Sequence, residues 1–360
     1  MAAKTKKPIN DPVPGADSVF SRQRHLIGVL APILSLVVIM LASFALGHYP
    51  VSPGELLGGI YNHFFNADYV ASSADALKAD RVIFEIRLPR ILLVVLVGAG
   101  LAMAGASYQG MFRNPLVSPD LLGASAGAGL GACAAMLFGL PAWGMQLCAF
   151  AGGLIAVGLA VGLNKIVNYD PILGLVLGGI LVSTLFQSGI SLVKFAADAQ
   201  DKLPAITFWL MGSFASVKNR DLLWAIIPML AGFGLLLSQR WQLNVLSFGD
   251  EEARTMGANT RRVRLLVIFA ATLLTSVSVA VAGIIGWIGL VIPHLARAIV
   301  GPNYKALLPA AAFVGATYLL LVDDVARLAM SVEIPIGILT AIFGVPFFVV
   351  IFRHNMKGWQ

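Results

Sequence analysis

The chain has 360 residues, 58% of them hydrophobic and only 12% charged, with a formal net charge of +7 and a mean hydropathy of +0.84. Soluble domains carry about twice that share of charged residues, so a water-soluble core is excluded. The positive balance fits the Lys and Arg bias of cytoplasmic membrane loops rather than nucleic-acid binding.

From the N-terminus, Lys4, Lys6, Lys7, Arg22 and Arg24 precede an apolar stretch of about 22 residues. That is too long for a signal-peptide core and lacks a convincing cleavage site, so it reads as a retained first span. Charge-free runs follow: 22 residues between Arg90 and Arg113, 44 between Asp120 and Lys165, and 23 between Asp170 and Lys194. A helix needs roughly 20 apolar residues to cross the hydrocarbon core, so the expected fold is an all-α polytopic membrane protein. Ten transmembrane helices are predicted, at about 26–47, 91–112, 117–138, 142–163, 171–193, 222–238, 265–283, 284–300, 306–326 and 335–352. The turn Gly139-Leu140-Pro141 divides the third from the fourth.

Residues 265–300 are ambiguous, because Gly283, Gly286, Gly289 and Pro293 interrupt a stretch that one long helix would also fit. Loop charge decides between the two. Ten spans place 16 of the 25 Lys and Arg in cytoplasmic segments, whereas a single span there leaves 13 inside and 12 outside, with no bias. Both termini are therefore expected in the cytoplasm, as tails 1–25 and 354–360 around one membrane domain, 26–353.

Small residues recur at four-residue spacing: Gly123, Gly127 and Gly131, then Ala102, Ala106 and Gly110, and Gly158 with Gly162. Such faces let helices approach closely in lipid and read as packing seams. The two cysteines, Cys133 and Cys148, lie inside apolar runs and read as small buried hydrophobes, not a disulfide or metal pair.

Polar features are few. Arg87 and Arg90 precede span two and Arg327 ends span nine, on the side where arginine is less usual. On residue grounds alone they anchor helix ends or pair locally. Arg327 has Asp323 at i−4 and Asp324 at i−3, the spacing of a surface ion pair worth a few tenths of a kcal/mol. Span five is mildly polar, with Ser183, Thr184, Gln187 and Ser188 beside Gly174, Gly178 and Gly179.

In the loop 246–264, Ser247 and Asp250 have capping-box spacing. Asp250, Glu251 and Glu252 then fill a first turn, where the helix dipole favours acids. Gly257 is placed to end that short helix, and Asn259 or Thr260 to start another. The product is a two-helix elbow. His294, beside Pro293, reads as structural, and His48 and His63 share an outer loop with Tyr49 and Tyr61 but have no ligand spacing.

Absences matter as well. No Gly-Lys dipeptide occurs, so there is no P-loop. No ionisable residue sits in the middle of spans two to seven, which argues against proton or sodium coupling. Neither a His-Glu-x-x-His motif nor a convergent nucleophile and base is present, so no catalytic residue, cofactor or metal site is expected.

Glu251-Glu252-Ala253-x-x-x-Gly257 resembles the coupling motif of ABC-importer permeases, Glu-Ala-Ala followed by Gly, with Glu252 in place of the first Ala. Further strings resemble one branch, the FecCD-like type II permeases for ferric siderophores, haem and vitamin B12. They are Arg87-Leu88-Pro89-Arg90, Asn114-Pro115-Leu116, Leu121-Leu122-Gly123, the run Gly286 to His294, Asp324-Val325-Ala326-Arg327, and Glu333-Ile334-Pro335-Ile336-Gly337. Together they cover about residues 26–352.

The resemblance implies that Gly249, Asp250, Glu251, Glu252, Ala253, Arg254 and Gly257 dock on a separate ATPase subunit. It implies that Arg87, Arg90 and Arg327 receive carboxylates of a periplasmic binding protein, a task suited to the planar guanidinium fork. Asn114 and Leu116 would belong to an inner gate, and Ser183, Gln187 and Ser188 to a translocation path lined by spans five and ten. The expected protein is thus a bacterial inner-membrane permease with no enzymatic activity of its own. Its partners would be two ATPase copies, a binding protein and a second permease, the same chain or a homologue. Its expected cargo is an iron–siderophore or haem, with cobalamin as the alternative. A carrier working without ATP and an intramembrane enzyme are the rival readings.

Overall fold

The computed structural model describes residues 16–47, 49, 51–66, 73–167 and 171–355. Residues 1–15 and 356–360 of the expected tails, and His48, lie outside them. Every regular element among the described residues is helical. In chain order these are α1 (Ala16–Ala45), α2 (Pro53–Phe65), α3 (Ala74–Arg81), α4 (Leu88–Met111), α5 (Ala124–Leu137), α6 (Ala142–Val167), α7 (Pro171–Ala196) and α8 (Lys202–Leu210). There follow α9 (Asn219–Ser238), α10 (Arg240–Leu246), α11 (Asp250–Thr255), α12 (Thr260–Ala282), α13 (Ile288–Val300), α14 (Tyr304–Leu328) and α15 (Ile336–Asn355). A π-helical turn, Val82–Arg87, joins α3 to α4, and a 3-10 turn, Pro119–Leu122, precedes α5.

Each of the ten expected spans falls on one helix: α1, α4, α5, α6, α7, α9, α12, α13, α14 and α15. Among the described residues, six helices are long and apolar enough to cross a membrane, and four shorter apolar helices accompany them. The ambiguous stretch is two helices parted at Gly283–Trp287. The backbone at Gly283 is left-handed, φ +71°, and a side chain there would collide with the carbonyl of Trp209. The carbonyl freed at the end of α12 is taken up by a neighbour, Ser213 N donating to Ala282 O at 2.9 Å. Non-helical backbone at a membrane helix end survives because protein supplies such partners.

Hydropathy missed four helices between spans, α2, α3, α8 and the short α10. α2 is set by Ser52, whose side chain accepts from Glu55 N while Glu55 returns to Ser52 N at 2.7 Å, with Pro53 at the first position. α3 and the π turn extend α4 into one rod, Ala74–Met111, of 38 residues. Lys78, Arg81, Glu85 and Arg87 hide that extension from an apolar reading. α8 is apolar but too short to span, and it buries Ile206 against Cys133 and Ile190.

α4 and α12 form the centre, with 83% and 78% of their apolar stretches buried, against 33% for α6 and 28% for α7 and α9. α4 packs against α14, α12, α13 and α9, and α12 reaches α6 and α5 as well. The glycine seams explain the closeness. Gly127 and Gly131 of α5 abut the backbone of Gly152 and Cys148 in α6, and Gly98 of α4 abuts Gly315 of α14. Gly123 instead caps α5 in a left-handed conformation, φ +86°, against Ser183. Gly158 and Gly162 meet nothing among the described residues, so the seam expected there does not form among them.

Candidate functional site

The end of α1, the start of α4 and the end of α14 bring Arg87, Arg90 and Arg327 together, all three buried. Arg90 faces two carboxylates: Nη2 donates to Asp323 at 2.8 Å and Nε at 3.0 Å, while Nη1 and Nη2 reach Glu333 at 2.7 and 2.8 Å. Arg327 donates to the carbonyls of Leu46 at 2.9 Å and Ser43 at 2.8 Å, and to Asp324. Ser43 closes the circuit on Asp324 at 2.6 Å. Arg87 donates to the carbonyls of Phe44 and Tyr49 and has no carboxylate partner among the described residues.

This corrects the surface ion pair expected at Arg327. Asp323 is fully buried and turns to Arg90, and Arg327 Nε stands 4.0 Å from it. Arg90 and Arg327 share a largely buried network with Asp323, Asp324 and Glu333, where losing one partner is costly.

At the other end of α12 the elbow takes the expected form with one change. Ser247 does not cap α11; its hydroxyl donates to Asn244 O at 2.6 Å. Gly249 occupies the cap position at φ +125° instead. A side chain there would crowd the Glu252 carboxylate and come within 3.5 Å of Arg113 Nη1. The stop is at Gly257, φ +82°, where Ala258 N returns to Ala253 O at 2.9 Å and Gly257 N to Arg254 O at 3.0 Å. Asn259 caps α12 by accepting from Arg262 N at 3.0 Å. Ala253 is buried, while Glu251, Glu252, Arg254 and Gly257 are exposed. Arg264 of α12 holds Asp250 at 2.6 Å, tying the elbow to the central helix.

The loop 112–118 lies beside it. Arg113 takes a left-handed turn, φ 51°, and Asn114 Oδ1 accepts from Leu116 N at 2.9 Å, leaving the Leu116 side chain exposed. α13 pins this loop twice. His294 Nε2 lies 2.9 Å from Pro115 O. Arg297 holds Gln109 at 2.8 Å, and Gln109 spans Leu290 O at 3.2 Å and Val117 O at 3.4 Å.

On α7, Ser183 is half-buried, and Gln187 and Ser188 are exposed. Thr184 and Ser188 donate to carbonyls four residues back, both at 2.9 Å, which lowers the polarity that face presents. Sequence reasoning missed Arg113, Arg264 and the acceptor carbonyls of α1. Arg264, fourteen residues beyond Asp250, carries a faint local signal; the α1 carbonyls carry none.

A model of the FecCD transport family matches residues 35–354. The chain is 41% identical over 329 residues to the molybdate import system permease protein MolB of Haemophilus influenzae, covering 90% of this chain and 95% of that one. It is 37% identical over 294 residues to an iron chelatin transport system permease protein of Helicobacter pylori, covering 82% and 87%. A solved transporter of metal-chelate ABC type, in an inward-facing conformation, superposes with a TM-score of 0.80 at 39% identity, covering 91% of this chain and 98% of that one.

Proposed function

The chain belongs to the FecCD transport family, and from that premise we propose that it is the ten-span permease through which an iron chelate passes into the cytoplasm. It is a multi-pass inner-membrane ABC-importer permease. ATP hydrolysis is assigned to a separate subunit, in keeping with the missing P-loop.

The observation that carries the mechanism is the elbow, α11 and its caps. Its exposed Glu251, Glu252 and Arg254 offer a charged face to an ATPase subunit, while the Arg264–Asp250 pair couples it to α12. Because α12 packs on α4, α5, α6 and α9, a push on α11 is distributed through the bundle. Arg113, beside Gly249, places the gate residues Asn114 and Leu116 next to the same lever. One elbow per chain calls for a second copy to engage two ATPases, with the path between copies along Ser183, Gln187 and Ser188 of α7 and along α15. Exposed Leu177, Leu181 and Leu185 on α7 supply apolar surface for that pairing.

At the outer end, Arg87 is the best of the three arginines for receiving a binding-protein carboxylate, because its own partners are carbonyls only. Arg90 and Arg327 are already engaged by Asp323, Glu333 and Asp324. A weakly polar path suits a bulky metal complex that must not be held. The 41% identity to a molybdate permease favours molybdate as the second reading. Ligand-stimulated ATPase activity and uptake in the full assembly tests the cargo. Stimulation by a ferric chelate supports the proposal, and stimulation by molybdate or cobalamin alone removes iron from it.

A further inference from the structure

Behind the elbow lies a cleft of about 380 Å³, between the last turn of α6, α7, α11 and the start of α12. Among the described residues, Lys165, Arg254, Arg261 and Arg264 line it against one carboxylate, Asp250. Arg264 is 8% exposed. It gives Asp250 a single donor, Nη2 at 2.6 Å, and its buried Nε finds no acceptor among the described residues. A desolvated guanidinium with open donors is unsatisfied as it stands. The fork geometry and the surplus of cations both suit an oxyanion such as a phosphate group.

The surroundings indicate where such an anion comes from. Ile166 and Leu265, beside Lys165 and Arg264, expose apolar side chains at 79% and 44%. The cleft thus opens where the lipid-facing surface of the bundle gives way to its cationic end. Anionic head groups of the cytoplasmic leaflet collect at such basic borders.

We propose that this cleft binds a phosphate group, supplied in the membrane by the head group of an anionic phospholipid. The occupant bridges Lys165 of α6 to Arg261 and Arg264 of α12, and so steadies the elbow from behind through the Arg264–Asp250 pair. The inference requires a membrane but neither the ATPase partner nor any particular cargo.

The test is native mass spectrometry of the full chain released from mixed micelles of phosphatidylglycerol and phosphatidylethanolamine, with inorganic phosphate titrated in parallel. The chain should retain phosphatidylglycerol over phosphatidylethanolamine. The exposed pair Lys165→Ala and Arg261→Ala should lower retention about tenfold, with thermal unfolding followed to establish that the double variant is folded. Competition by inorganic phosphate supports the same site. Phosphate binding without lipid retention, if lost in the double variant, keeps the anion site and replaces its source. Equal retention of both lipids, or retention and phosphate binding unchanged in the folded double variant, overturns the proposal.

Discussion

His294 Nε2 donates to the carbonyl oxygen of Pro115 at 2.9 Å, fastening α13 to the loop that carries Asn114 and Leu116. The direction is fixed, since a carbonyl only accepts. With Asn114 and Leu116 at the proposed inner gate, this bond would act as its latch. Replacing His294 by Ala removes a bond worth about 1 kcal/mol. Basal, binding-protein-independent ATPase activity in the assembled transporter should therefore rise about fivefold, and Gln at the same position should restore part of the coupling. Unchanged basal activity in H294A would remove the latch from the mechanism.

Arg90 is bound to Asp323 and Glu333 at once. Arg90→Ala leaves Asp323 buried without its main partner, and the expected loss is about 3–5 kcal/mol. A clear fall in Tm of the purified chain checks it. Arg90→Lys should rescue little, because a single ammonium does not span two carboxylates as a planar fork does.

Arg87 separates docking from folding. Its partners are carbonyls at the end of α1, so Arg87→Gln should cost about 1–2 kcal/mol in lost hydrogen bonds. Binding-protein stimulation of the assembled transporter should fall by more than that loss of Tm accounts for. Full stimulation by a folded R87Q transporter would withdraw the docking role.

The α5–α6 seam is tight at Gly131, where any side chain enters the Cys148 carbonyl. Gly131→Leu should cost about 1–3 kcal/mol or more through overpacking, read as reduced yield and Tm. Gly158→Leu, facing open space, should leave Tm of the isolated chain unchanged.

Gly257 ends α11 in a left-handed conformation. Gly257→Val should strain that turn by about 1–2 kcal/mol and weaken ATPase-subunit binding in a pull-down more than it lowers Tm. Equal binding by the variant would argue that the elbow stop is not part of the docking surface.

Helix positions were legible because apolar run length and loop charge are local properties. The break at Gly283 was visible as clustered glycines, and the stop at Gly257 and the cap at Asn259 followed from their neighbours. The Ser247 cap failed because a positive-φ glycine, Gly249, took that position and released the hydroxyl to Asn244. The extension of α4 back to Ala74 was hidden by its charges. Least legible was the outer network: Arg90 and Asp323 are 233 residues apart, and no spacing rule joins them. Sequence placed Arg327 beside two acids but not in the core of the protein.

In the proposed function, the energy for transport reaches this chain from a separate ATPase subunit. Uptake of a radiolabelled ferric chelate into liposomes, with its binding protein present, measures that directly. Uptake is expected only when the permease is assembled with its ATPase subunit and ATP is present. Uptake by the permease alone, without that subunit or ATP, would contradict the proposed function.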